Sequence, residues 1–199
     1  MSNNLAKPFF QDPPDDLDES WRHGAILGGI LNADRQTQGW MIADAYRLAG
    51  DALVESVLIR RDHEAYELIW PILFLYRHAL ELYLKLVVQP KNLDHRLAPL
   101  FREFEMIAQQ QYSQQIPQII LDRARELAEM DPDSFAFRYA TTKHGDDSIR
   151  GGEYWVELPR LRQFMDVLAP AFHKIGSATN LKRPSHKVRA PKTGKKLKK

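Results

Sequence analysis

Apolar and polar positions repeat with a helical period along most of the chain. Apolar side chains recur at spacings of three and four residues, which is typical of amphipathic helices. We predict helices over about 34–60, 62–89, 94–110, 117–130 and 158–175. The alternation expected of a sheet is limited to a candidate short strand at 154–157. The pattern therefore predicts an all-α, up-and-down bundle of about five helices.

The first two predicted helices carry residues that suggest how they pack. Asp34 stands where an N-cap is expected, and Ala45, Ala49 and Ala52 are small enough to allow close helix packing. Pro71 lies inside the second helix, where it should kink the helix or mark a break. Because a short turn joins the two helices, we expect them to form an antiparallel pair.

A thin stripe of charge crosses the otherwise apolar segment 76–88. Arg77, Glu81 and Lys85 follow one another at intervals of four residues, and His78 lies beside Glu81. A helix that is apolar nearly all round is buried by its neighbours, so its charges must be paired. Either the three charges satisfy one another as a structural triad, or the stripe lines a polar groove between helices or protomers.

Composition excludes several classes of protein. The chain has no cysteine, which rules out disulfides and thiolate metal sites. Its longest apolar run, 68–76, is far shorter than the roughly 20 residues that cross a bilayer. The first residues lack the basic start and apolar core of a signal peptide. We therefore expect a cytoplasmic protein with no membrane association and no cofactor.

The net charge of +2 averages three unlike regions. Residues 1–20 hold five acidic side chains and one lysine, whereas residues 182–199 hold nine basic side chains and no acidic one. We predict a disordered segment over 1–20, a helical domain over 21–178 and a disordered basic tail over 179–199. Such a tail could contact phosphates with a strong salt dependence, or could act as a solubilising or antitoxin-like tail with no nucleic-acid role. The candidate phosphate contacts are Lys195, Lys196, Lys198 and Lys199.

Three segments, in this order, resemble the HEPN superfamily. ALELYLKLVV (79–88) is similar to the family's AEKALKALL helix, and DHRLAPLFREF (94–104) resembles the HDLxxLLxxL segment that follows it. FAFRYATT (135–142) is similar to the RYPD-type sequence after the fourth helix, although Ala140 and Thr141 replace the usual Pro and Asp. The resemblance implies a HEPN-like bundle of four to five helices that forms a homodimer, often with a composite site at the two-fold axis.

The resemblance also implies two classes of function. One is a metal-independent endoribonuclease with an Arg-x4–6-His motif, common in toxin–antitoxin and antiviral systems; Arg138 and His144 match it. Histidine can move a proton near neutral pH, and arginine can stabilise charge on a phosphorane. The other class is a non-catalytic helper that binds a nucleotide or a partner. The implied partners are RNA, an antitoxin or a nucleotidyltransferase. In the alternative without chemistry, Arg138 forms a salt bridge with an acid such as Glu81, and His144 is a solvated loop residue.

A groove along the charged stripe would supply a second candidate site, for nucleic acid or another ligand. Its residues are Arg77, His78, Glu81, Lys85 and His95. His95, beside Asp94 at a predicted helix start, could contact a phosphate or a base, or could serve only in capping and packing. No spacing of the histidines predicts a metal site, and we expect none.

Overall fold

The computed structural model describes residues 34–91, 94–112, 115–142, 144–149 and 152–181. The helices are α1 (Arg35–Glu55), α2 (Ala65–Val88), α3 (Leu97–Tyr112), α4 (Gln118–Met130) and α5 (Leu158–Leu181). Within these ranges there is no strand, and a single antiparallel bridge joins Thr141 to Asp147. The all-α prediction is therefore confirmed. The predicted strand at 154–157 is wrong, because a strand needs a paired neighbour and the described residues contain no second strand.

The boundaries of the helices differ from prediction mainly at the end of α5. The sequence predicted an end at Ile175, but α5 continues to Leu181, beyond the predicted start of the basic tail. α3 begins at Leu97 rather than Asp94, whose carboxylate instead binds Arg96. The segment 1–20 and the tail after Leu181 lie outside the described residues.

α1 begins at a side-chain N-cap and ends in a π-helical turn. The Asp34 carboxylate accepts hydrogen bonds from the backbone amides of Gln36, at 2.9 Å, and Thr37, at 2.8 Å, which confirms the predicted N-cap. At its other end α1 passes into a π-helical turn, Ser56–Arg60. Arg61 follows with φ of 56°, in the left-handed region, and turns the chain toward α2.

α2 passes through Pro71 without a break. The helix starts with a capping box in which Glu64 and Glu67 each accept the other's backbone amide. Pro71 removes one helical hydrogen bond, but its exposed position allows water to satisfy the carbonyl that loses its partner. Pro71 therefore does not mark the end of a helix.

The core of the bundle forms around α2, which packs against α1, α3 and α5. α4 packs against α3, and α5 also contacts α1. Burial of each large apolar side chain contributes about 1.5–3 kcal/mol. The largest fully buried apolar side chains are Ile72, Tyr76, Leu80, Tyr83, Leu84, Leu97, Phe104, Met165 and Phe172. Because α2 is enclosed on several sides, its charged side chains must find partners inside the bundle.

α1 packs on a different face from the one that its alanines suggested. Ala45, Ala49 and Ala52 are exposed, and the buried residues of α1 are Ala43, Gly50, Asp51 and Val54. A Cβ atom at Gly50 would lie 2.6 Å from the ring of Tyr76, so this glycine is what lets α1 approach α2. α1 has apolar side chains on both sides, and periodicity alone does not determine which side faces the core.

Candidate functional site

Arg77 is the centre of a buried charged network. Its side chain is fully buried, with Nη1 2.6 Å from Glu81 Oε2 and Nη2 donating to the carbonyl oxygen of His95 at 2.6 Å. Nε donates to the carbonyl oxygen of Asp131 at 3.2 Å and lies 3.0 Å from Asp131 Oδ2. One guanidinium therefore ties α2 to the segment before α3 and to the end of α4.

Glu81 gathers three cationic or donating groups around a buried carboxylate. Besides Arg77, it contacts Lys85 Nζ at 2.7 Å and His95 Nδ1 at 2.8 Å, both through Oε1. Burial alone would raise the pKa of Glu81, but the hydrogen bonds from Lys85, His95 and Arg77 outweigh it and hold the pKa below its usual value. Glu81 is therefore ionised at neutral pH.

Asp131, directly after α4, completes the network. Its Oδ1 accepts hydrogen bonds from the backbone amides of Phe135, at 2.6 Å, and Ala136, at 2.8 Å. Its other oxygen faces Arg77 as an ion pair without an aligned hydrogen bond. An aspartate that opens a turn commonly accepts backbone amides further along, which is the signal that could have found it.

The network balances its own charges. Arg77 and Lys85 offset Glu81 and Asp131, so the group is neutral when His95 is neutral. Arg77 and Lys85 both pair with Glu81, as expected if the three charges form a structural triad. The members that reach the surface are Lys85, whose side chain is 17% exposed, and His95, whose side chain is 59% exposed.

His78 lies outside this network, although the sequence grouped it with the groove. Its ring makes an edge contact with Tyr46, with centroids 4.4 Å apart, and stacks on Phe74, with centroids 5.6 Å apart. Burial lowers the pKa of His78, against the opposing effect of the Glu81 charge. His78 is therefore a neutral aromatic packing residue between α1 and α2.

Arg138 is exposed on the loop that follows α4. Its Nε donates to the carbonyl oxygen of Ser134 at 2.7 Å, and its guanidinium lies 5.3 Å from the ring centroid of Tyr139. The ring of Tyr139 in turn packs on Phe135, with centroids 4.5 Å apart. The alternative in which Arg138 pairs with Glu81 is wrong, because groups on α2 and before α3 occupy both carboxylate oxygens.

His144 lies at the tip of a short turn on the same loop. The amide of Thr142 donates to the carbonyl of Asp146 at 2.7 Å, and Gly145 has φ of 87°, which a side chain would strain. The side chain of His144 is exposed. Within the described part of this loop, no hydrogen bond or ion pair links His144 to Arg138. Their assignment as a catalytic pair stays a prediction.

A second cluster of polar side chains, which the sequence did not predict, lies between α1, α2 and α5. Asp44 accepts a hydrogen bond from the Tyr83 hydroxyl and lies 2.9 Å from His173 Nε2, while Trp40 packs on the His173 ring. Burial and the neighbouring carboxylate both raise the pKa of Tyr83, so its hydroxyl remains a donor. Asp44 and His173 are 129 residues apart in the chain, and no local pattern connects them.

Two turns further along α1, Asp51 repeats this arrangement. It accepts a hydrogen bond from the Tyr76 hydroxyl at 2.6 Å and pairs with Arg47 at 2.6 Å. Burial and Asp51 raise the pKa of Tyr76, which keeps this hydroxyl protonated as well. We call these two tyrosine–aspartate pairs the tyrosine seam.

An apolar cleft of about 260 Å³ opens between α2, α4 and α5. Its lining includes Leu73, Leu127, Met130, Phe137, Leu161 and Phe164. Trp155 stands at the rim with its side chain almost fully exposed. The rim cation Arg160 already pairs with Glu157 at 2.9 Å. The cleft is therefore suited to apolar groups more than to phosphate.

The described residues do not include three His, Asp or Glu side chains placed to hold a metal ion. Nor is any helix in the described ranges long and apolar enough to span a membrane. The predicted tail contacts Lys195, Lys196, Lys198 and Lys199 lie outside the described residues.

Comparison of the chain with protein-family models, with curated proteins and with solved structures gives no match in any of the three. The class of protein is therefore defined by its own architecture. It is an all-α bundle whose central helix carries a buried, charge-balanced network, next to a loop that exposes Arg138, Tyr139 and His144.

Proposed function

We propose that the chain is a HEPN-like domain that binds single-stranded RNA through the loop after α4. The observation that carries this proposal is the side chain of Tyr139, which is 50% exposed and has Phe135 and the guanidinium of Arg138 as neighbours. Unpaired bases stack on exposed aromatic rings, and arginine supports them through its planar charge and through phosphate contacts.

The attachment of this loop to the bundle supports the proposal. Asp131 holds the amides of Phe135 and Ala136, and its carboxylate is fixed by the buried Arg77. Phe137 is buried directly before Arg138. A loop that is already ordered loses less conformational freedom when it binds a ligand.

Positive groups near the loop offer further contacts to a phosphate backbone. Because Arg77 hydrogen-bonds the carbonyls of both His95 and Asp131, the segment before α3 lies beside the start of the loop. This segment carries the exposed His95 and Arg96 and lies next to Lys85. The basic tail would add a sequence-independent, salt-dependent contribution.

The setting proposed for this binding is RNA-directed defence or a toxin–antitoxin system. An alternative is a non-catalytic module that holds a nucleotide or a partner protein such as a nucleotidyltransferase. The apolar cleft beside Trp155 favours this alternative, since an apolar pocket with a few polar groups is typical of a ligand site. RNA binding that is lost on Tyr139→Ala would favour the first proposal.

A homodimer is part of the same proposal. α1 exposes Met41, Ile42 and Leu48 on a face that also carries three exposed alanines, and a second copy of this chain could cover it. Light scattering after size-exclusion chromatography should give the mass of a dimer. The double variant Ile42→Glu, Leu48→Glu should run as a folded monomer. A wild-type mass of one chain would contradict the dimer.

Anisotropy of a labelled single-stranded RNA tests the binding proposal. Tyr139→Ala should weaken binding about tenfold, because a stacked base contributes about 1–3 kcal/mol. Tyr139→Phe should bind like the wild type. Tyr66→Ala removes another exposed tyrosine, on α2, and should have no effect. Equal binding by Tyr139→Ala and the wild type would contradict the proposal.

A second candidate function is metal-independent RNA cleavage by Arg138 and His144. It is favoured by the exposure of both side chains and by the absence of an ion pair to either within the described residues. The protein should then cut single-stranded RNA in EDTA and leave 2′,3′-cyclic phosphate or 3′-phosphate ends. Arg138→Ala and His144→Ala should each abolish cleavage, and the double variant should be little worse, because the pair acts as a unit.

A further inference from the structure

His95 joins the buried network through one ring nitrogen and faces solvent with the rest of its ring. Nδ1 lies 2.8 Å from Glu81 Oε1, and the side chain of Glu81 is only 2% exposed. Nε2 makes no hydrogen bond to any described residue. Nδ1 of His95 is therefore fixed by Glu81, whereas Nε2 is available to a ligand.

The contact with Glu81 determines where a neutral His95 carries its proton. An ionised carboxylate only accepts hydrogen bonds, so Nδ1 must be the donor and Nε2 keeps its lone pair. Glu81 cannot turn away, because Arg77 and Lys85 hold its two oxygens. A carboxylate that orients a histidine in this way is the arrangement by which a histidine is prepared as a base.

We propose that His95 is the proton acceptor of an RNA-cleaving site, with Lys85 as the neighbouring phosphate contact. This inference rests on the proposed RNA binding. His144, the histidine of the sequence motif, is exposed, but no carboxylate among the described residues orients its ring. His95 has this orienting group, and the cation beside it as well.

The chemical step is a transesterification that needs no co-reactant. Nε2 of His95 removes the proton from a ribose 2′-hydroxyl, and the 2′-oxygen attacks the adjacent phosphorus. The bond from phosphorus to the 5′-oxygen breaks, and that oxygen receives the proton from the imidazolium through water. The products are a 2′,3′-cyclic phosphate and a 5′-hydroxyl. The ammonium of Lys85, which donates to the same Glu81 oxygen as His95, would stabilise the charge on the phosphorane.

The segment that carries His95 lies beside the start of the loop that carries Tyr139. The Arg77 guanidinium donates to the His95 carbonyl at 2.6 Å and to the Asp131 carbonyl at 3.2 Å. Asp131 opens the loop that carries Tyr139. We expect an RNA strand bound at this loop to extend past His95 and Lys85.

Substitution of His95 by asparagine tests the proposal with little disturbance of the network. The asparagine amide can still donate to Glu81 but offers no basic nitrogen in place of Nε2. His95→Asn should lower the rate of cleavage of single-stranded RNA in EDTA by at least about a hundredfold. RNA affinity should fall much less than the rate, and the melting temperature should be unchanged. Imidazole added to His95→Ala should restore part of the rate.

His63→Asn is the matched control, because His63 Nδ1 lies 3.5 Å from Glu67 Oε2 in an exposed histidine–glutamate pair. This variant should cleave at the wild-type rate. Cleavage that survives His95→Asn but is lost in His144→Asn would overturn the proposal in favour of the sequence motif. RNA binding without any cleavage would overturn this proposal and leave the binding proposal standing, whereas loss of both would overturn both.

The tautomer of His95 gives a test that does not depend on activity. Long-range ¹H–¹⁵N correlation spectra distinguish a protonated from an unprotonated ring nitrogen. At a pH where the ring is neutral, His95 should show a protonated Nδ1 and an unprotonated Nε2. A protonated Nε2 would overturn the proposal, because that nitrogen could not then accept a proton.

Discussion

The network around Arg77 and the tyrosine seam satisfy buried polar groups in two different ways. Around Arg77, two fully buried charges, Arg77 and Glu81, depend on each other and on Asp131. In the seam, neutral tyrosine hydroxyls donate to Asp44 and Asp51, which also have partners near the surface. The first arrangement ties three segments together, but it fails if one charge is removed. The second tolerates loss of a donor better.

The difference follows from what remains after one partner is lost. A buried ion that loses its counter-charge keeps its desolvation penalty without compensation. An aspartate that loses a tyrosine donor keeps its other contacts, as Asp51 keeps Arg47. The two regions should therefore respond differently to matched substitutions.

The largest effect is expected for Glu81→Ala. Removal of this carboxylate leaves the fully buried Arg77 with Asp131 as its remaining counter-charge, and leaves Lys85 and His95 without an acceptor. The free energy of unfolding should fall by about 3 kcal/mol or more. Urea denaturation of the two proteins measures this difference.

Glu157→Ala is the control for Glu81→Ala. Glu157 also pairs with an arginine, at 2.9 Å, but both side chains are exposed, so its removal should cost less than about 1 kcal/mol. Equal stability losses for the two glutamates would contradict the description of the Arg77 network as a buried unit.

A smaller effect is expected for Tyr76→Phe in the seam. The variant keeps the ring and removes the hydroxyl that donates to Asp51, which should cost about 1.5–3 kcal/mol because the acceptor is charged. Tyr83→Phe should cost less, because Asp44 is more exposed than Asp51 and retains His173. Tyr66→Phe, on an exposed side chain, should leave the melting temperature unchanged. A larger loss for Tyr83→Phe than for Tyr76→Phe would reverse the order that burial predicts.

The two regions also differ in how far the sequence predicts them. Arg77, Glu81 and Lys85 repeat at intervals of four on one helix, so their pairing can be read from the helical period alone. Asp131 and the His95 carbonyl come from other segments and join only when the bundle folds. In the seam, the partners Asp51 and Tyr76 are 25 residues apart, and neither residue stands out in its own helix.

The fold was more predictable than the site, because helices form from local sequence and the site forms from contacts between distant segments. Helices depend on local periodicity and capping, as at Asp34, whereas side-chain contacts depend on which helix faces meet. The exposed alanines of α1 illustrate the limit, since the wrong face was expected to pack. Arg138 and His144 lie on one loop, as their spacing requires. The spacing did not predict how the Arg138 guanidinium and the His144 ring are oriented.

The smallest expected effect concerns His78, which lies between aromatic rings and belongs to neither polar group. Burial holds its pKa below the usual value, so the unfolded chain binds a proton more readily than the folded one. The stabilisation is therefore present above about pH 6.5, the ordinary histidine pKa, and is lost as the pH falls toward the lowered value. His78→Phe should flatten the dependence of melting temperature on pH between about 5 and 7. The depressed pKa of Glu81 adds a separate loss only at lower pH, below the ordinary range of a glutamate. A His78→Phe curve that still falls between pH 7 and 5 as steeply as the wild type would show that groups other than His78 cause the loss.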